Sequence, residues 1–310
     1  MESQKPKIAM YVKRPFGEKL NASFDFLKEN WKLLLKFTTY LLLPLCLIQA
    51  LSLNGLMSGA LSISAIASST AMAASSSSLI AFGSYYGLYM FLYLIGIILL
   101  TSLVYGLIRT YNEREERLQG VTLGMLKPRL FRNIKRLLLM TGACILLVLF
   151  VGIFVGLLVA LTPFTLFLTI PFIIAFSVPL ALLAPIYLFE DITLMEAFKK
   201  TFRLGFATWG GVFLILIVMG IIASVLQGIV SIPWYVIYIV KMIFTMSDGG
   251  ATSSSVGLNF AQYLFSILML YGSYLSAIFG IVGLVYQYGH ASEVVDSITV
   301  ESDIDNFDKL

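Results

Sequence analysis

One histidine and two cysteines, with scattered carboxylates, are what this 310-residue chain offers for acid–base, nucleophilic or metal chemistry. His290 stands three residues before Glu293, so the two fall on one helical turn and can pair locally. Catalysis or metal binding needs further His, Asp, Glu or Cys groups converging on one point, and the neighbouring sequence does not supply them. His290 is therefore expected to be an interfacial side chain with a local hydrogen bond. Cys46 and Cys144 fall inside apolar stretches and read as small buried residues, not as a disulfide or a metal pair. Asp303-Ile-Asp-Asn-Phe-Asp308 has closely spaced carboxylates but lacks the glycine and distal Glu of a calcium loop. A short helix capped by Ser302, or a docking peptide, is expected there. No catalytic residue, cofactor or metal is expected, and the chain does not read as an enzyme.

Within the apolar stretches, ionisable groups would mark function, because each costs a few kcal/mol or more to insert. No Asp or Glu lies inside any of the spans assigned below, which argues against proton-coupled transport through a carboxylate. Lys241 is a weak lead for anion binding from the outer face; snorkelling to the headgroups is the stronger expectation. Gln49, Asn54, Gln227, Gln262 and Gln287 suit hydrogen bonds between helices.

The elements that carry these residues follow from composition. The chain is 59% hydrophobic and 12% charged, with a mean hydropathy of +0.91. Soluble domains carry about 25% charged residues, so a soluble fold is excluded. About 20 apolar residues cross a bilayer core, and this length predicts spans at 33–53, 85–107, 137–160, 166–188, 209–229 and 263–286. A Ser/Ala-rich linker near 58–78 separates the first two, and Thr162-Pro163 marks a tight turn between the third and fourth. Pro171, Pro179 and Pro185 make the fourth span irregular. The apolar stretch 231–246, interrupted by Pro233 and Lys241, either extends span five or lies at the outer interface. Residues 1–289 form one membrane domain and 290–310 an acidic tail, with Lys309 against six carboxylates.

Orientation comes from the basic residues. All except Lys241 lie at 1–36, 109–136, 199–203 and 309. Six crossings place 1–32, 109–136, 189–208 and 287–310 on one side, and the positive-inside rule makes it the cytoplasm. A bacterial inner-membrane protein with both termini inside is expected, targeted by its first span since no signal-peptide core precedes it. Basic residues split among span ends do not suit nucleic acid.

An amphipathic stretch precedes spans one, three and five. Leu20, Phe24, Leu27 and Trp31 share one helical face, as do Leu194, Phe198, Phe202 and Phe206. Thr193 and Glu196 form a capping box that starts the latter helix. Leu123, Leu126, Leu130 and Ile134 keep the spacing, with Pro128 expected to end one piece and begin another. The predicted fold class is an all-α integral membrane protein, with six transmembrane helices as three hairpins, each preceded by a cytoplasmic amphipathic helix. Such helices lie in the headgroup region with basic residues toward lipid phosphates. The candidate face for lipid or partner comprises Lys28, Trp31, Arg129, Arg132, Lys199, Lys200, Arg203 and Trp209. Expected partners are membrane lipids and a protein docking at the tail. The Gly83/Gly87 and Gly152/Gly156 spacings allow a homo-oligomer.

Phe24–Trp31 leading into Pro44, the Thr193–Trp209 stretch, and Tyr286-Gln-Tyr-Gly-His-Ala-Ser-Glu293 resemble bacterial six-span membrane families. These include the membrane domain that accompanies some glycerophosphodiester phosphodiesterases. The resemblance implies the fold and the cytoplasmic in-plane helices; the phosphodiesterase chemistry belongs to a separate soluble domain. The expected function is thus non-catalytic, engaging headgroups or a partner. The alternative is a transporter or permease for a small apolar or zwitterionic solute. Reporter fusions within 54–84 and 230–262 are expected to read external, and a cytoplasmic signal from either would refute the topology.

Overall fold

The computed structural model describes residues 6–68, 76–247 and 256–298. The acidic 303–308 stretch lies outside them. Eight α-helices and no strand occur among the described residues: α1 (Phe16–Ser68), α2 (Ser76–Glu113), α3 (Leu123–Leu161), α4 (Thr165–Leu180), α5 (Leu183–Phe189), α6 (Leu194–Ala207), α7 (Trp209–Ser247) and α8 (Val256–Val295). Six segments are long and apolar enough to cross a membrane: Phe16–Ala60, Leu79–Glu113, Leu123–Leu161, Thr165–Phe189, Trp209–Phe244 and Val256–Val295. Each contains one expected span. Phe150, Phe164 and Phe167 are 73%, 87% and 89% exposed, within a long run of bare apolar side chains on α3 and α4. Water does not sustain apolar surface on this scale. Lipid does.

The helices run further than the spans. α3 has 39 residues, roughly 58 Å at 1.5 Å per residue, about twice the hydrocarbon thickness. α1 passes without a break from the Leu20–Trp31 stretch into the first span, because no Pro or Gly separates them. Pro128 does not divide two pieces but sits in the second turn of α3. There its missing N–H leaves only the carbonyl of Gly124, an exposed residue, without its helical donor. α1 also continues through Ser68 into the expected Ser/Ala-rich linker. Residues 231–246 continue α7 through Pro233, so the extension of span five is what forms. α8 continues through His290 to Val295, which places the start of the expected tail in helix.

The fourth span is two helices. Pro179 and Pro185 lack the N–H groups that would bond the carbonyls of Ala175 and Ala181. The chain tightens at this point: the Ala181 and Leu182 N–H groups donate to Val178 and Pro179 carbonyls at 3.2 and 3.0 Å. Pro185 then falls in the first turn of α5, where a missing donor costs least.

The chain divides into two compact units. Unit one comprises Met1–Lys32, Thr101–Ile221 and Phe279–Leu310, and unit two comprises Leu33–Leu100 and Ile222–Ile278. In unit one, α6 packs on α4 and α5, and α3 packs on the same two helices. Closest approach of α6 to α4 is at Gly205, where an added Cβ would lie 2.5 Å from Pro179 Cβ and 2.7 Å from its Cα. Unit two is held by the hydrogen bonds expected of its amide side chains. Tyr274 donates to Gln49 at 2.9 Å, Ser266 to Asn54 at 2.9 Å, and the Trp234 indole to Ser266 at 2.8 Å. Tyr274 reaches Gln49 over Gly96, whose missing Cβ would otherwise lie 2.1 Å from the Tyr274 hydroxyl.

Gly205→Val should destabilise the protein by about 1–3 kcal/mol through overpacking on the Pro179 backbone. Gly210→Ala, with nothing within 4 Å of the new Cβ, should be neutral. Melting temperatures in one detergent check both.

Candidate functional site

The expected apolar stripes are not the most buried faces, although Phe24 meets Phe279 at 6.1 Å and Phe202 and Phe206 meet Phe176 at 6.1 and 5.5 Å between ring centroids. On the first turns of α1 the buried residues are Lys19, Ala22, Ser23, Phe26 and Asn30, while Phe24 and Trp31 are exposed. On α6 they are Ala197, Thr201, Leu204 and Gly205, while Phe206 is exposed. In both helices the packed face lies about 100° around from the apolar stripe, by helical periodicity. Small and polar residues let helix backbones approach and hydrogen-bond, which leaves the most apolar face outward. The Thr193–Glu196 capping box forms as expected, with the Thr193 hydroxyl accepting from the Glu196 N–H and the Glu196 carboxylate accepting from the Thr193 N–H. The Thr193 N–H and hydroxyl, both donating to the Glu196 carboxylate at 2.8 and 2.9 Å, hold that carboxyl below its ordinary range.

The break in the fourth span sets the geometry of unit one. The Ala175 carbonyl, deprived of a donor by Pro179, accepts from the Trp209 indole at 3.0 Å. Trp209 in turn stacks on Phe213, with ring centroids 4.9 Å apart. At the far end of α5, Arg136 donates to the carbonyls of Tyr187, Glu190 and Ile192 at 2.6, 3.1 and 2.9 Å. Its guanidinium also lies 4.0 Å from the centroid of the Tyr187 ring. One cation thus closes the C-terminal end of α5, where the helix dipole favours positive charge.

Around Arg136 lies an arginine cluster. Arg129, Arg132 and Arg136 repeat at three and four residues, which puts them on one face of α3. Arg109 and Glu113 are one turn apart at the end of α2, joined at 3.0 Å. Arg129 pairs with Glu113 and donates to Thr110 at 2.9 Å. Asp191, between α5 and α6, pairs with Arg132, with Arg136 at 3.8 Å and with Arg109 at 4.0 Å. Four guanidinium groups thus face two carboxylates, leaving two positive charges uncompensated. Arg109, Arg129 and Arg132 line a cavity of about 120 Å³. Sequence reasoning singled out Arg129 and Arg132; the i, i+3, i+7 stripe was the signal for Arg136, and nothing local pointed to Arg109.

Lys200, half-buried, and the exposed Arg203 join a second network. Lys200 pairs with Glu190 and Asp296, each at 2.9 Å, and Arg203 with Asp296 at 2.6 Å. Tyr288 donates to Glu190 at 2.7 Å. Burial pulls the Lys200 ammonium down, but the two carboxylates outweigh it and hold the group above its ordinary value. Lys200 therefore stays charged through the neutral range. Of the remaining expected residues, Lys28, Trp31 and Lys199 are exposed and Trp209 is half-buried. Lys28 lines an open cavity of about 740 Å³ beside the N-terminal segment. In unit two, Lys241 donates to Asn259 and Gln262 at 2.8 and 2.5 Å, so amide oxygens of α8 hold the group expected to snorkel.

Two groups depart from their expected surroundings. Lys19, a charged residue that would ordinarily be solvated, is 3% exposed and donates to Gln287 at 2.8 Å. Gly211 makes room for this pair, since a Cβ there would lie 3.2 Å from the Lys19 ammonium. His290 accepts at Nδ1 from the Arg14 backbone N–H at 3.0 Å, a partner distant in sequence where a local hydrogen bond was expected. An Nδ1 that accepts carries no proton, so the ring hydrogen is assigned to Nε2. Cys46 and Cys144 are free thiols.

The fold and these networks define a multi-pass helical membrane protein with an arginine-rich polar unit. No family model matches the chain, and no curated protein or solved structure is similar to it.

Trp209→Phe keeps the stacking on Phe213 and removes the indole donor. Leaving the Ala175 carbonyl unsatisfied should cost ~1–3 kcal/mol, read as a lower melting temperature. Arg136→Lys should cost a similar ~1.5–3 kcal/mol, because a point ammonium cannot serve three carbonyls and cover a ring together.

Proposed function

We propose that this chain is a non-catalytic bacterial inner-membrane protein, with both termini in the cytoplasm, whose cytoplasmic face engages lipid headgroups or a protein partner. The observation that carries the proposal is the sorting of charge. Among the described residues, Lys36 and Lys241 are the charged groups of unit two, and all the others fall in unit one. By the positive-inside rule, unit one holds the cytoplasmic segments. Its outward apolar stripes, flanked by Lys28 on α1 and Lys199 on α6, suit helices seated at the headgroup level. Three hairpins, each led by such a stretch, and kinship with the six-span families of the phosphodiesterase membrane domain belong to the same proposal.

The competing class is a permease, favoured by the broken fourth span, since unwound backbone can bind solutes. The Trp209 indole already occupies the Ala175 carbonyl that Pro179 leaves without a donor. The headgroup reading is therefore preferred.

The test is native mass spectrometry of the full chain in mixed phosphatidylcholine and phosphatidylglycerol nanodiscs. Wild type should enrich the anionic lipid. Lys28→Gln with Lys199→Gln should reduce that enrichment by roughly fivefold for each cation, from ~1 kcal/mol apiece. Equal retention of both lipids by wild type would sink the lipid half of the proposal. A solute that raises the melting temperature while lipid preference is absent would favour the permease.

A further inference from the structure

The geometry points to a phosphomonoester site at the arginine cluster of unit one, in the cavity between the end of α2 and the start of α3. The inference deepens the headgroup proposal, on which it rests, by naming the group recognised. The cavity is lined by Gly106, Arg109, Glu113, Arg129, Arg132 and Asn133. Its volume of about 120 Å³ matches roughly four water molecules at ~30 Å³ each, hence the four oxygens of one tetrahedral phosphate.

Charge selects the ligand further. Arg109, Arg129, Arg132 and Arg136 exceed Glu113 and Asp191 by two positive charges. A phosphomonoester carries between −1.5 and −2 near neutral pH and cancels that excess, whereas the monoanionic phosphodiester of most glycerolipids leaves about half of it. Arginine forks bind phosphate through paired N–H donors, and these forks are already held. Arg129 rests on Thr110 and Glu113, Arg109 on Glu113, and Arg132 on Asp191. Little side-chain freedom is left to lose on binding, which favours affinity. The Gly106 position adds room, since a Cβ there would meet only Asn133 Nδ2, at 3.8 Å. Two sources share this chemistry: the headgroup of a phosphatidate-type lipid and soluble phosphate.

Full-length protein in phosphatidylcholine nanodiscs would be titrated with phosphatidate, with phosphatidylglycerol and, separately, with inorganic phosphate. Retained lipid and melting temperature are the readouts. Phosphatidate should be held roughly tenfold more strongly than phosphatidylglycerol, and Arg129→Gln with Arg132→Gln should abolish the preference. Glu113→Gln removes only a competing anion and should strengthen it. Lys28→Gln with Lys199→Gln should leave it in place, which separates this site from general anionic enrichment. Stabilisation by inorganic phosphate without phosphatidate preference upholds the site and overturns its lipid source. A phosphatidate preference unchanged in the folded double arginine variant, or weakened in folded Glu113→Gln, overturns the site.

Discussion

A backbone carbonyl inside a bilayer has no water to bond, so every break in a spanning helix must bring its own donors. The fourth span breaks after Pro179, and the arrangement of unit one follows from how that break is closed. The Trp209 indole takes the Ala175 carbonyl on one side. Arg136 takes three carbonyls at the end of α5 on the other. Together these two side chains bring the start of α7 and the first turns of α3 onto the broken span. With Arg136 fixed, Arg129 and Arg132 necessarily share its face of α3, and Asp191 lies within reach. The arginine cluster thus gathers around a cation that caps the end of α5, and its surplus charge is what remains after that task.

Two polar networks in unit one differ in balance. Around Glu190 and Asp296, Lys200 and Arg203 meet carboxylates in equal number, and Tyr288 fills a remaining lone pair of Glu190. A buried network that is paired and hydrogen-bonded in this way specifies one packing. The arginine cluster has two cations too many, and both of its carboxylates are more exposed than Glu190 and Asp296. Exposed ion pairs add little to stability, so beyond the carbonyls that Arg136 caps the surplus charge contributes little to packing. It is better suited to meeting an anion than to holding helices together.

Packing in this protein uses small and polar faces. Ala22, Ser23 and Asn30 on α1, and Ala197, Thr201 and Gly205 on α6, are buried beside Lys19, Phe26 and Leu204. Gly205 admits Pro179, Gly96 admits Tyr274, and Gly211 leaves room for Lys19 beside Gln287. Lipid competes with Leu and Phe for apolar contact, so close backbone approach and hydrogen bonds decide which faces meet. The buried Lys19 belongs to this logic: its ammonium is a donor to Gln287 first and a surface charge not at all.

Much of the secondary structure was legible in the chain itself. Apolar length located all six spans, the prolines marked the broken fourth span, and Thr193 with Glu196 marked the start of α6. The amide side chains Gln49, Asn54 and Gln262 were correctly taken as hydrogen-bonding groups between helices. These features depend on local periodicity and on backbone chemistry, which sequence states directly. The tertiary structure alone decided which face of each helix packs and which cations are internal. Apolar periodicity in a membrane protein does not separate inside from outside, because lipid and protein are equally apolar solvents for a Leu or a Phe. The partners of Lys19, Arg136 and His290 lie dozens to hundreds of residues away, and only the folded chain brings them within hydrogen-bond distance.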